Sequence, residues 1–105
     1  MYTIIETPVY ARKAAQFLDD AGRESVAAFL ALNPLSGVVI RGSGGDRKLR
    51  WRTDHGGKRG GHRIVYFNQL ERGHIWLLTI FSKRQLDNIS TRELVQIRKV
   101  IDDDN

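Results

Sequence analysis

The stretch "HRIVYFNQLERGHIWLLTIFS", residues 62–82, sets the terms on which this chain can fold. Its second half, "WLLTIF", is almost wholly apolar, yet successive side chains of a strand point to opposite faces. A strand there must be covered on both sides, as an inner strand of a sheet flanked by other layers. Four residues, "LERG", separate it from "HRIVYFNQ", and that link ending in Gly73 reads as a hairpin-like turn. "VVIR" (38–41) and "DRKLRWRT" (46–53) also read as strands. A chain of 105 residues has room for one core, so residues 1–105 are expected to form a single domain.

Helices must supply the cover. "YTIIE" is a short β-rich run that stops at Thr7-Pro8, where Thr7 suits an N-cap and Pro8 the first helical position. The helix that follows is expected to reach about Asp19, where "DDAG" breaks it. "RESVAAFLALNP" places Val26, Phe29, Leu30 and Leu32 at helical spacing, for a second helix ending before Pro34. Ser90 and Glu93 form a capping-box pair opening a last helix, with Leu94, Ile97 and Ile101 on its apolar stripe and a frayed "DDDN" end. The predicted order is β-α-α-β-β-β-β-α. This is an α+β fold: a mostly antiparallel twisted sheet, an N-terminal helical hairpin and a C-terminal helix.

Charge is concentrated in one place. Residues 41–63, "RGSGGDRKLRWRTDHGGKRGGHR", carry eight of the seventeen Lys and Arg residues and seven of the ten glycines. With Asp46 and Asp54 the segment nets 8 − 2 = +6, against +5 for the whole chain, so the remainder is close to neutral. A basic surplus confined to one segment points to a polyanion, and nucleic acid is the commonest such partner. A solvated face kept for solubility is the competing explanation. The absence of cysteine excludes disulfides, thiolate metal sites and Cys nucleophiles, and His55, His62 and His74 lack metal-ligand spacing. "IWLLTIF" is too short to span a bilayer and "MYTIIETPVY" lacks a basic signal region, so the expected location is cytoplasmic.

In "DRKLRWRT" the alternation places Leu49, Trp51 and Arg47 on one face and Lys48, Arg50 and Arg52 on the other. Cations sharing a strand face repel one another, which a bound polyanion would relieve. Arg63 opens the next strand and Lys83 ends the one after, so hairpin pairing would bring these cations together. "GSGG" and "GGKRGG" are followed by no helix and lack the Walker Lys-Ser/Thr ending, so they read as turns carrying Lys58 and Arg59 rather than as phosphate cradles. Asp46 is positioned to pair with Arg47 and blunt the basic run. RNA cleavage through the 2′-hydroxyl needs a base, an acid and cations around the phosphorane. Histidine pairs are the usual solution, but by alternation His62 points away from Arg63, His55 lies in a glycine loop and His74 at a turn; a lysine amid cations can serve as base instead, and both remain open. The residues alone imply a basic RNA-facing domain and leave nuclease and binding module both open.

Three segments, "VIRGSGGDRKLRW", "GKRGGHRIVYF" and "WLLTIFSK", match in order and spacing a family pattern. The pattern runs G-x-G-G-x-R-K-x-R, then G-K-x-G-G-x-R before a hydrophobic and aromatic run, then a hydrophobic strand closing on Lys. The chain thereby resembles the RelE/HigB-like toxins of bacterial type II toxin–antitoxin pairs, within the RelE/ParE superfamily, over nearly its whole length. The resemblance implies a RelE-like fold and an endoribonuclease that cuts mRNA in the ribosomal A site with no cofactor or metal, using the RNA's own 2′-hydroxyl. It implies Arg63 for phosphate stabilisation, Lys48 or Lys83 for proton transfer, and Arg47, Arg50, Lys58 and Arg59 for holding RNA, to which the strand alternation adds Arg52. Relatives carry a Tyr or His near the end; here no aromatic residue or His follows Lys83, and Tyr66 is the nearest aromatic candidate, on a strand where it can equally be core. The implied partner is an antitoxin with a helix-turn-helix DNA-binding domain, through which operator DNA is met only indirectly. No membrane partner is implied. A non-catalytic RNA-binding or antitoxin-binding module is the alternative.

Overall fold

The computed structural model describes residues 2–52, 61–83 and 90–103. Strand β1 (Thr3–Glu6) leads into helices α1 (Pro8–Phe17) and α2 (Asp20–Leu32), then strands β2 (Val38–Val39), β3 (Arg47–Trp51), β4 (His62–Gln69) and β5 (His74–Ser82), and helix α3 (Thr91–Asp103). The five strands lie in the order β1-β5-β4-β3-β2. β2 through β5 pair antiparallel, while β1 runs parallel to β5, with Thr3 opposite His74 and Glu6 opposite Leu77. The α+β architecture read from the sequence is the one observed.

The caps act where the sequence places them. Thr7 Oγ1 accepts from Tyr10 N–H at 3.2 Å and donates to Leu77 O at 2.9 Å, so one hydroxyl both starts α1 and pins it to β5. Asp19, not singled out as a cap in the sequence, caps α2 through Gly22 N–H at 2.8 Å, so most of "DDAG" opens the second helix instead of standing as a break before "RESVAAFLALNP". At α3 the capping box closes, Glu93 N–H donating to Ser90 Oγ at 3.1 Å and Ser90 N–H to Glu93 Oε1 at 3.4 Å. The helix runs on to Asp103, so the acidic end is not frayed from Asp102 as expected. β2 is shorter than "VVIR" suggested, because Ser43 Oγ takes up Ile40 O at 2.6 Å and turns the chain away from the ladder.

The sheet has a core on each face. Tyr10 and Ala14 of α1 and its C-cap Leu18, at a strict four-residue spacing, join Val26 and Leu30 of α2 over Leu49, Ile64, Tyr66, Ile75, Leu77 and Ile80. On the other face Leu94 and Ile101 of α3 cover Val65, Trp76, Leu78 and Phe81. β5, with seven consecutive buried residues, is therefore roofed twice, as its composition demanded. Of the stripe expected on α2, Phe29 is half-exposed with its ring edge toward Trp51, and Leu32, at the last turn, is exposed.

Tyr66 is core. Its hydroxyl accepts from Gly37 N–H at 2.8 Å and donates to Pro34 O at 2.9 Å, joining the α2–β2 connection to the centre of the sheet. Tyr66→Phe leaves both backbone groups without that partner and is expected to cost about 2 kcal/mol. Chemical denaturation checks it: the midpoint should fall with an unchanged slope.

Candidate functional site

β3 shows why the alternation in "RKLRW" matters. Leu49 is buried and Trp51 half-buried toward the α1–α2 side, while Lys48 and Arg50 are exposed. Register then assembles the other cations. Lys48 lies opposite Val65 and Arg50 opposite Arg63, and Arg63 is flanked on its far side by Phe81 of β5. Cross-strand partners share a face. Val65 and Phe81 belong to the core under α3, so Lys48, Arg50 and Arg63 stand on the α3 side of the sheet.

The C-terminal end of β3, the start of β4 and the C-terminal end of β5 meet at one end of the sheet, since Trp51 pairs with His62 and His62 with Ser82. Arg52, one residue past β3, and Lys83, one residue past β5, are both exposed at that end. Lys48, Arg50, Arg52, Arg63 and Lys83 thus come from three adjacent strands and their ends to one region. Lys58 and Arg59 lie outside the described residues, as does His55.

Arg47 does not join them. It pairs with Tyr66, on the opposite face, and its guanidinium donates to Gly37 O at 2.7 Å and Leu35 O at 3.4 Å. The expected Asp46–Arg47 pair is also absent. Asp46, 1 % exposed, instead accepts from Arg98 of α3 at 2.9 Å. Burial pushes the Asp46 carboxyl above its usual range, and the Arg98 hydrogen bond and charge pull it back. The same guanidinium donates to Ser43 O and Gly44 O, each at 3.2 Å, and lies 4.0 Å from the centre of the Phe67 ring. The "GSGG" loop thereby turns carbonyls toward an arginine, the reverse of the N–H array that cradles phosphate. Its role is to receive α3, and the basic strand keeps its own charge.

The described histidines lie away from these cations. His62 packs its ring 4.4 Å from that of Phe17 on the helical-hairpin side, where burial lowers its pKa and favours the neutral imidazole. His74 sits at the far end of β5, edge-on to Trp76 at 6.1 Å. No group of three His, Cys, Asp or Glu among the described residues could share a metal ion, and none of the described helices is long and apolar enough to cross a membrane.

One cation escaped the reading by motif. Lys13 of α1 places its ammonium 4.0 Å from the centre of the Phe81 ring. In the sequence it lies some thirty residues before the basic segment, and its only signal is its place beside the buried stripe of Tyr10 and Ala14.

Helical hairpin, mixed five-stranded sheet and covering C-terminal helix together make a RelE-like α+β fold. The particular structure that shows it is that of the E. coli toxin RelE, a double arginine-to-alanine mutant in the free state. It is similar to this chain with a TM-score of 0.56, over 77 % of this chain and 82 % of that one, at 16 % identity. No protein-family model matches the chain.

Proposed function

We propose that this chain is the toxin of a type II toxin–antitoxin pair, RelE/HigB-like, and a ribosome-dependent mRNA endoribonuclease acting in the cytoplasm. The observation that carries this reading is the gathering of Lys48, Arg50 and Arg63, with Lys83 at the same end of the sheet, on a RelE-like fold.

The chemistry follows from the residue types. A base removes the 2′-hydroxyl proton, and the resulting oxyanion attacks the adjacent phosphorus. The P–O5′ bond breaks, an acid protonates the departing 5′-oxygen, and the products are a 2′,3′-cyclic phosphate and a 5′-hydroxyl. Negative charge grows on the non-bridging oxygens, where preorganised guanidinium groups stabilise it most. Arg63, on the central strand between Arg50 and Phe81, is assigned to that charge. Lys48 or Lys83 transfers the proton. Arg50 and Arg52, with Lys58 and Arg59 from the sequence between β3 and β4, hold the RNA backbone. The partner is an antitoxin with a helix-turn-helix domain, which masks the basic region or keeps the protein off the ribosome and mediates contact with operator DNA.

Expression of the wild type should arrest growth, relieved by the antitoxin. On programmed ribosomes it should yield mRNA fragments with 5′-hydroxyl ends. Of Lys48→Ala and Lys83→Ala, the variant lacking the proton-transfer group should lose about 100-fold in single-turnover rate. Salt-sensitive RNA binding with no 5′-hydroxyl ends would instead establish a non-catalytic basic module.

A further inference from the structure

The cation region continues beyond the sheet. β1 pairs with β5 only as far as Leu77, so the rest of β5 is flanked by α1, which Thr7 pins there. On α1, Lys13 precedes the buried Ala14 and follows the buried Tyr10 by three residues, which puts it on the margin of the packed stripe. From there its ammonium reaches Phe81, the residue paired with Arg63, which is in turn paired with Arg50. Arg50, Arg63, Phe81 and Lys13 thus follow one another across β3, β4, β5 and α1. The backbones of β3 and β5 stand about 10 Å apart, whereas stacked nucleotides advance about 3.4 Å each. A line of that length spans neighbouring phosphates of one RNA strand.

We infer that Lys13 is an RNA contact: held against the Phe81 ring, its ammonium binds a backbone phosphate beside the one that Arg63 engages. The inference rests on the proposed RNA-facing function and adds a residue outside the basic segment to it. A ring satisfies one side of an ammonium, and among the described residues no hydrogen-bond acceptor meets the Lys13 N–H donors. Burial lowers the Lys13 pKa, Arg12 acts in the same direction and Glu93 of α3 opposes them. A phosphate at this place would offset the cost of keeping the ammonium charged.

The test uses the full chain with four forms: wild type, Lys13→Gln, Lys13→Arg and Arg12→Gln, the last a neighbouring exposed cation. Affinity for a single-stranded oligoribonucleotide is measured across a salt series, and mRNA cleavage on programmed ribosomes alongside it. Lys13→Gln should reduce the slope of log affinity against log salt by about 0.7, one phosphate contact on a single strand. It should also slow cleavage about tenfold at subsaturating substrate. Lys13→Arg should restore the slope, Arg12→Gln should leave both readouts unchanged, and thermal unfolding of Lys13→Gln should stay cooperative at the wild-type temperature. A wild-type slope in Lys13→Gln overturns the inference, whatever the cleavage assay gives. If the wild type binds but does not cut, the proposed activity fails on its own and the slope still decides Lys13. If Lys13→Gln unfolds early, the residue is structural and the inference is overturned.

Discussion

Arg63→Ala is expected to lower mRNA cleavage on programmed ribosomes by about 100-fold or more, chiefly in the rate at saturating substrate. Arg63 occupies the middle strand of its cross-strand line, between Arg50 and Phe81, and is half-buried. A guanidinium held by a paired strand on either side is preorganised, so it need not reorganise as charge builds on the phosphorane. Its neighbours cannot replace it: Arg50 is one strand away, and Phe81 offers no donor. Binding should suffer less than turnover, because the ground-state phosphodiester carries a single charge that the other cations also meet. Arg72→Ala, in the 3-10 turn joining β4 to β5 at the opposite end of the sheet, is the control and should leave the rate within about twofold. Arg63→Ala cutting within threefold of wild type, with its fold intact, would remove Arg63 from the site.

Gly61→Ala should be the most damaging small substitution near the site, costing about 3 kcal/mol of stability. Gly61 immediately precedes β4 with φ of +64°, a left-handed backbone that a Cβ penalises. The added methyl would press into the carbonyl oxygen of Trp51 and lie 3.1 Å from Arg52 Cα, both of them backbone that cannot swing aside. Relief requires β3 and β4 to part where Trp51 pairs with His62, the pair next to Arg50–Arg63. Loss of stability should therefore come with loss of cleavage, read as a lower melting temperature and a slower single turnover in the fraction still folded. A melting temperature within 2 °C of wild type would show that the strands accommodate a side chain there.

The same glycine marks how far the sequence carries. Its motif "GGHR" was legible, and so was the start of a strand at His62, but a Gly-rich run reads as a loose turn. The reason for this glycine is a neighbour ten residues earlier whose backbone is too close for any Cβ. Local chemistry was legible throughout: the Thr7 and Ser90/Glu93 caps, the alternation in β3, and the exact limits of β4 and β5. What stayed hidden depends on which distant elements meet. Asp46 has Arg47 beside it in sequence, but their side chains point to opposite faces of a strand, and its ion-pair partner comes from a helix 52 residues on. Lys13 has no neighbour that hints at Phe81, because that contact exists only through the parallel pairing of β1 with β5.

That pairing has a consequence for how the molecule is made. β1 is synthesised before the other strands of the sheet, yet its partner is the last of them, so it waits unpaired until Leu77 has emerged. α1 waits with it, since the hydroxyl that anchors α1 bonds to the Leu77 carbonyl. Closing so long a loop is the slow step expected of a topology dominated by distant contacts. During vectorial synthesis the Arg50–Arg63–Phe81–Lys13 line is consequently assembled last, after the hairpins that carry three of its four members.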